Sequence, residues 1–98
     1  MEIVFDDENL EDLAENENAK SRLPASVIAS FRRLMVTLIA AEDERTIRER
    51  KALHFEKLKG NRSHQYSLRL NRQFRLIIEI ELSEPKNILH LIAIEDYH

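Results

Sequence analysis

The chain has 98 residues, 43% hydrophobic and 34% charged, with no cysteine and a net charge of −3. This balance suits a soluble globular protein and excludes disulfides and thiolate metal sites. The longest apolar stretch, residues 34–41, is far short of the ~18 residues a membrane helix needs, and the acidic start lacks a signal peptide's basic and apolar regions.

In chain order, Glu2 to Phe5 is a short apolar opening in which Ile3 and Phe5 alternate with Glu2 and Val4, consistent with a short edge strand. Residues 6–20 are acidic, with Leu10, Leu13 and Ala14 forming the narrow stripe of one short helix. Residues 24–42 carry the strongest helical signal. Val27, Ile28, Phe31, Leu34, Met35, Leu38 and Ile39 fall on one stripe, and Pro24 fits the first turn, where a missing N–H costs nothing. Asp43 is placed to cap a second, mostly charged helix through Lys51. Residues 54–63 read as a loop around Gly60, the only glycine in the chain, with Lys57, Lys59 and Arg62 about it.

Three strand signals follow. Tyr66, Leu68 and Leu70 alternate with Ser67 and Arg69, and over residues 74–82 Phe74, Leu76, Ile78, Ile80 and Leu82 alternate with Arg75, Ile77, Glu79 and Glu81. Residues 88–95 are apolar on both faces, as in a strand covered on both sides. The expected architecture is α+β: a short N-terminal strand and two to three helices packed on one face of a small antiparallel sheet, as a single domain over residues 1–98.

The net charge conceals a partition. Residues 1–20 carry −7, residues 45–75 carry +8, and residues 76–98 carry −4. A basic block inside an acidic chain points to a local polyanion site, against the plainer reading of a solvated charged face. Hairpin register sharpens the point. A two-residue loop at Asn71-Arg72 mixes polar and apolar residues on both faces. A three-residue loop, Asn71 to Gln73, opposes Leu70 with Phe74, Leu68 with Leu76 and Tyr66 with Ile78. The same register sets Arg69 opposite Arg75. Like charges there repel unless an anion lies between them, and guanidinium geometry suits phosphate. Two arginines splayed over a wet sheet face is the alternative.

Among the histidines, His90 reads as a satisfied structural residue and His64 as a solvated turn residue. His98 stands beside Asp96 and the α-carboxylate, which favour its imidazolium and make it a candidate general acid or base. No spacing of His, Asp or Glu suggests a metal site, and no cofactor motif is present.

The turn Leu58-Lys59-Gly60-Asn61-Arg62, the strand Ser67-Leu68-Arg69, Asn71, the pair Phe74-Arg75 and the terminal Asp96-Tyr97-His98 together resemble the HigB-type toxins of the RelE/ParE superfamily. Phe74 stands where that family usually has tryptophan, and Arg72 where it usually has an acid. The resemblance implies a toxin of a toxin–antitoxin pair, acting in the cytoplasm as a ribosome-dependent endoribonuclease. Such a toxin cuts messenger RNA in the A site of the 70S ribosome, without metal, by attack of the ribose 2′-OH on the adjacent phosphate. By the same resemblance, Lys59, Arg69 and Arg75 hold the scissile phosphate; Lys57 and Arg62, from the basic block around the turn, are further RNA-binding candidates. His54 and His98 share acid and base work, Asp96 orients or assists, and Tyr97 stacks or hydrogen-bonds near the base. A helix-turn-helix antitoxin of the HigA type is implied as partner, with operator DNA bound only through the toxin–antitoxin complex. The competing readings are a non-enzymatic inhibitor of gyrase, like the ParE branch, and a phosphate-binding accessory domain.

Overall fold

The structure, a computed structural model, describes residues 1–97. Five strands form one sheet: β1 (Glu2–Phe5), β2 (Glu56–Lys57), β3 (Tyr66–Arg69), β4 (Phe74–Glu81) and β5 (Ile88–Asp96), in the order β1-β5-β4-β3-β2. β1 runs parallel to β5 at one edge, and the other neighbours are antiparallel. Three helices accompany the sheet: α1 (Glu8–Glu15), α2 (Ala25–Ala40) and α3 (Glu44–Glu49). The segment read as a loop from residue 54 to 63 contains β2 and a 3-10 turn at Gly60–Arg62. Two residues are too few to leave an alternation in the sequence.

Each helix begins as its sequence dictates. The Asp7 carboxylate accepts from the Asn9 N–H at 2.7 Å, and the Asp43 carboxylate from the Arg45 N–H at 2.9 Å, filling donors that a helix start leaves unpaired. Pro24 opens α2. Arg32, off the apolar stripe, donates to the carbonyls of Leu13 (3.0 Å) and Asn16 (3.1 Å) at the end of α1. A cation there complements the helix dipole and ties α1 to α2.

The core lies between the helices and one sheet face. Val27, Phe31 and Leu38 of α2 and Ile47 of α3 meet Leu68, Leu76, Ile78, Leu89 and Leu91, all fully buried. Each such side chain stabilises the fold by about 1.5–3 kcal/mol. The predicted α2 stripe holds except at its margin. Ile39 is 68% exposed, one turn beyond Val36 at 70%, because the buried arc is covered by Val27, Phe31, Leu34, Met35 and Leu38 alone.

β5 departs from simple alternation. Ile78 pairs with Leu91 but Ile77 with Ala93, leaving Ile92 as the extra residue of a β-bulge. The core side of β5 is therefore Leu89, Leu91 and then Ile94. Unbroken alternation would have sent Glu95 toward the helices. The bulge sets it opposite Arg75 instead.

Candidate functional site

The second sheet face carries Arg69 and Arg75, the pair that the hairpin register singled out. The β3–β4 register is Tyr66 with Ile78, Ser67 with Ile77, Leu68 with Leu76, and Arg69 with Arg75. The Asn71 side-chain oxygen fixes this register by accepting from the N–H groups of Gln73 (2.8 Å) and Phe74 (2.7 Å), while the Phe74 carbonyl accepts from Leu70 and Asn71. The loop is thus closed on three residues.

Arg75 is held rigidly. Its Nε donates to Ser67 Oγ at 2.7 Å, and its terminal nitrogen donates to the Ser67 carbonyl (3.3 Å) and to the His54 carbonyl. Ser67 is fully buried, and its hydroxyl faces the guanidinium on the same sheet face. The Tyr97 ring lies 5.9 Å from the Arg75 guanidinium carbon, within cation–π range. Arg69 donates to the Asn71 carbonyl (3.3 Å) and meets His54 Nε2 at 3.3 Å.

His54 therefore bridges the two arginines, its imidazole against Arg69 and its carbonyl against Arg75. An arginine N–H can only donate, so this contact is a hydrogen bond when Nε2 is the accepting nitrogen of the His54 ring. The backbone at His54 is left-handed, with φ 45° and ψ 57°. A side chain there costs about 1–2 kcal/mol relative to ordinary helical backbone. The next residue anchors it: Phe55 stacks on Tyr66 with centroids 4.8 Å apart, and the Arg48 guanidinium lies 4.7 Å from the Phe55 ring centre. Strained backbone of this kind clusters at functional sites.

The remaining candidates divide. Arg62 is committed: it grips Glu95 through two parallel hydrogen bonds (3.0 and 2.8 Å), and its Nε donates to Gln65 Oε1 at 3.0 Å. The Glu95 carboxylate holds its pKa above the ordinary arginine value. On the same face, Ile77 of β4 is fully buried although it faces away from the helices. Lys57 opposes Tyr66, so it shares the helix-facing side of the sheet rather than the arginine face, whereas Glu56, opposite Ser67, is on it. Lys59 is exposed at the start of the 3-10 turn. Asp96 opposes Phe74 and accepts from the Gln73 side-chain amide at 3.0 Å, next to the hairpin and on the side away from Arg75. His98 lies outside the described residues.

Ser67 is the contributor that residue-type reasoning passed over, and Glu95, read with the terminal residues as completing the site, is here the partner of Arg62. Ser67 is an ordinary strand residue until the register shows it beneath Arg75. Glu95 reaches this face only because of the bulge. His90, read as structural, bridges Asp6 (3.0 Å) and Glu81 (2.7 Å) far from the arginines, and these carboxylates, Asp6 foremost, raise its pKa.

This face carries a pair of guanidinium groups, an imidazole and an aromatic ring, with Glu56 and the Arg62–Glu95 pair on the same side of the sheet. It can neutralise a phosphate dianion or monoanion and accept a proton beside it. Comparison with known proteins gives the same direction. Residues 3–98 match the model of the HigB-like toxin family, described as RelE-like toxins of type II toxin–antitoxin systems. The chain is 33% identical over 79 residues to toxin HigB-1 of Vibrio cholerae serotype O1, covering 81% of this chain and 83% of that protein. A solved YoeB/ParE toxin from Agrobacterium tumefaciens superposes over 100% of both chains with a TM-score of 0.61 at 17% identity, a likeness of fold.

Proposed function

This chain belongs to the HigB-like family of RelE-like toxins of type II toxin–antitoxin systems, and we propose that it acts as a ribosome-dependent endoribonuclease on messenger RNA in the A site. A toxin of this type implies a cognate antitoxin, and a helix-turn-helix protein of the HigA type is the expected one. Operator DNA would be bound only through their complex.

The reaction is metal-independent transphosphorylation. The ribose 2′-OH attacks the adjacent phosphorus, its proton goes to a base, and the 5′-oxygen leaves with a proton from an acid, giving a 2′,3′-cyclic phosphate and a 5′-OH. The observation that carries this reading is His54 seated between Arg69 and Arg75. Arg69 and Arg75 take the phosphate oxygens and stabilise the charge that grows on them. A phosphate there draws the Arg69 N–H away from His54 Nε2, freeing a neutral imidazole to accept the 2′-OH proton. His98 supplies the proton to the leaving oxygen, and Tyr97 stacks near the base. Asp96 supports the terminal strand through Gln73. Lys59 contributes charge at the margin, and Arg62 and Lys57 serve RNA binding less directly than the two hairpin arginines.

The test is cleavage of a defined messenger by the purified protein with and without programmed 70S ribosomes, followed by end-group analysis. Cutting only on the ribosome, with cyclic phosphate and 5′-OH ends, is the expected result. A folded protein that cuts nothing would overturn the enzymatic reading and leave the gyrase-inhibitor alternative to be assayed.

A further inference from the structure

Next to the arginine face a second concavity, about 470 Å³ in volume, opens between α2, the 3-10 turn at Lys51–Leu53 and the end of β3. Arg33, Arg50, Lys51 and Arg69 line it, with no carboxylate among the lining residues. Among the described residues no ion pair engages any of these four cations. Leu34 and Leu70, 5% and 8% exposed, form its apolar floor. Arg33 is steadied by a hydrogen bond to Ser30 Oγ at 3.1 Å, itself a lining residue.

Arg33, Arg50 and Lys51 give the cleft a positive field that no lining carboxylate offsets, and an anion entering it is attracted. A nucleotide flanking the scissile phosphate brings such an anion, since each step of the strand carries a phosphate. Arg69 belongs at once to this cleft and to the site where it meets His54.

We infer that the cleft holds the RNA strand immediately flanking the scissile phosphate, with the flanking phosphate among Arg33, Arg50 and Lys51. This rests on the reaction face proposed above, and it adds a second nucleotide subsite with Arg69 as the hinge between the two. Arg50 and Lys51 lie on the short segment that leads directly into His54, so occupation of the cleft fixes the position of that imidazole.

The test uses a short, fluorescently labelled 2′-O-methyl oligoribonucleotide, which cannot be cut by 2′-OH attack. Its affinity is measured against salt concentration for the wild type, for the double variant Arg33→Gln/Arg50→Gln, and for Lys86→Gln, which removes an exposed cation of the β4–β5 turn. The double variant is expected to bind about tenfold more weakly. Its log–log salt slope should be shallower by about 0.7 for each phosphate that the protein no longer neutralises. Lys86→Gln should bind as the wild type does. An unchanged slope and affinity in the double variant would overturn the inference, as would an absence of RNA binding by the wild type at low salt. So would a polyglutamate peptide that depends on Arg33 and Arg50 while the RNA does not. Cleavage on ribosomes is scored separately. Cutting without cleft-dependent binding sinks the cleft alone, and cleft-dependent binding without cutting sinks the reaction alone.

Discussion

Asn71→Ala tests whether one side-chain oxygen sets the geometry of the arginine face. That oxygen accepts two backbone N–H groups, at 2.8 Å from Gln73 and 2.7 Å from Phe74, and closes the loop that opposes Arg69 to Arg75. Each hydrogen bond is worth about 0.5–1.5 kcal/mol net. The Gln73 N–H is exposed and recovers water, and the Phe74 N–H is only partly able to. The loss should therefore be about 1–2 kcal/mol. Equilibrium unfolding in urea should show the midpoint fall by about 1 M at unchanged slope, and thermal unfolding a drop of roughly 4–8 °C per kcal/mol. Asn71→Asp retains the acceptor and should keep most of the stability. Asn71→Ala unfolding within about 0.5 kcal/mol of the wild type would refute the reasoning, and so would Asn71→Asp failing as badly as alanine.

Further predictions follow from the same geometry. His54→Gly should be more stable than His54→Ala by about 1 kcal/mol in thermal unfolding, because only glycine is free of strain at φ 45°; equal stability would mean the left-handed backbone is not maintained. Ser67→Ala leaves Arg75 with backbone acceptors only and should lower ribosomal cleavage roughly 10- to 100-fold by misplacing the guanidinium, with little change in fold by circular dichroism. Unimpaired cleavage would remove Ser67 as a positioning residue. For His90, the carboxylates of Asp6 and Glu81 raise the folded pKa above 6.5. Its contribution to stability is complete below the unfolded value and is lost as pH rises through the raised folded one. The stability difference between wild type and His90→Gln should therefore be larger at mildly acidic than at alkaline pH, and a gap that grows with pH would contradict the assignment.

Much of the fold was legible because its signals are local. The α2 stripe, the Asp43 cap and the three-residue hairpin all follow from period and face matching, and the hairpin register brought Arg69 and Arg75 together from sequence alone. The other half of the site was not legible. His54 arrives from a segment read as a loop, and neither its left-handed backbone nor the stacking of Phe55 on Tyr66 follows from residue spacing. The bulge at Ile92 is equally silent, since a run of apolar residues fits either face of the sheet. Alternation carried through it misplaces Glu95. Charge alone likewise grouped Arg62 and Lys57 with the hairpin arginines, whereas the structure engages Arg62 with Glu95 and sets Lys57 on the other face. The residue that proved central to the geometry, His54, was named through family resemblance rather than by any pattern around it.

The central claim is that Arg75 and His54 together form the reaction centre. Its most direct test is single-turnover cleavage of messenger on programmed 70S ribosomes by wild type, Arg75→Ala, His54→Ala and His98→Ala, with folding of each verified. Loss of a charge-stabilising donor should cost about 10²–10³ in rate for Arg75→Ala. Loss of a proton acceptor or donor should cost about 10²–10⁴ for each histidine variant. Wild-type rates in both Arg75→Ala and His54→Ala would contradict the account and place the chemistry elsewhere on the molecule.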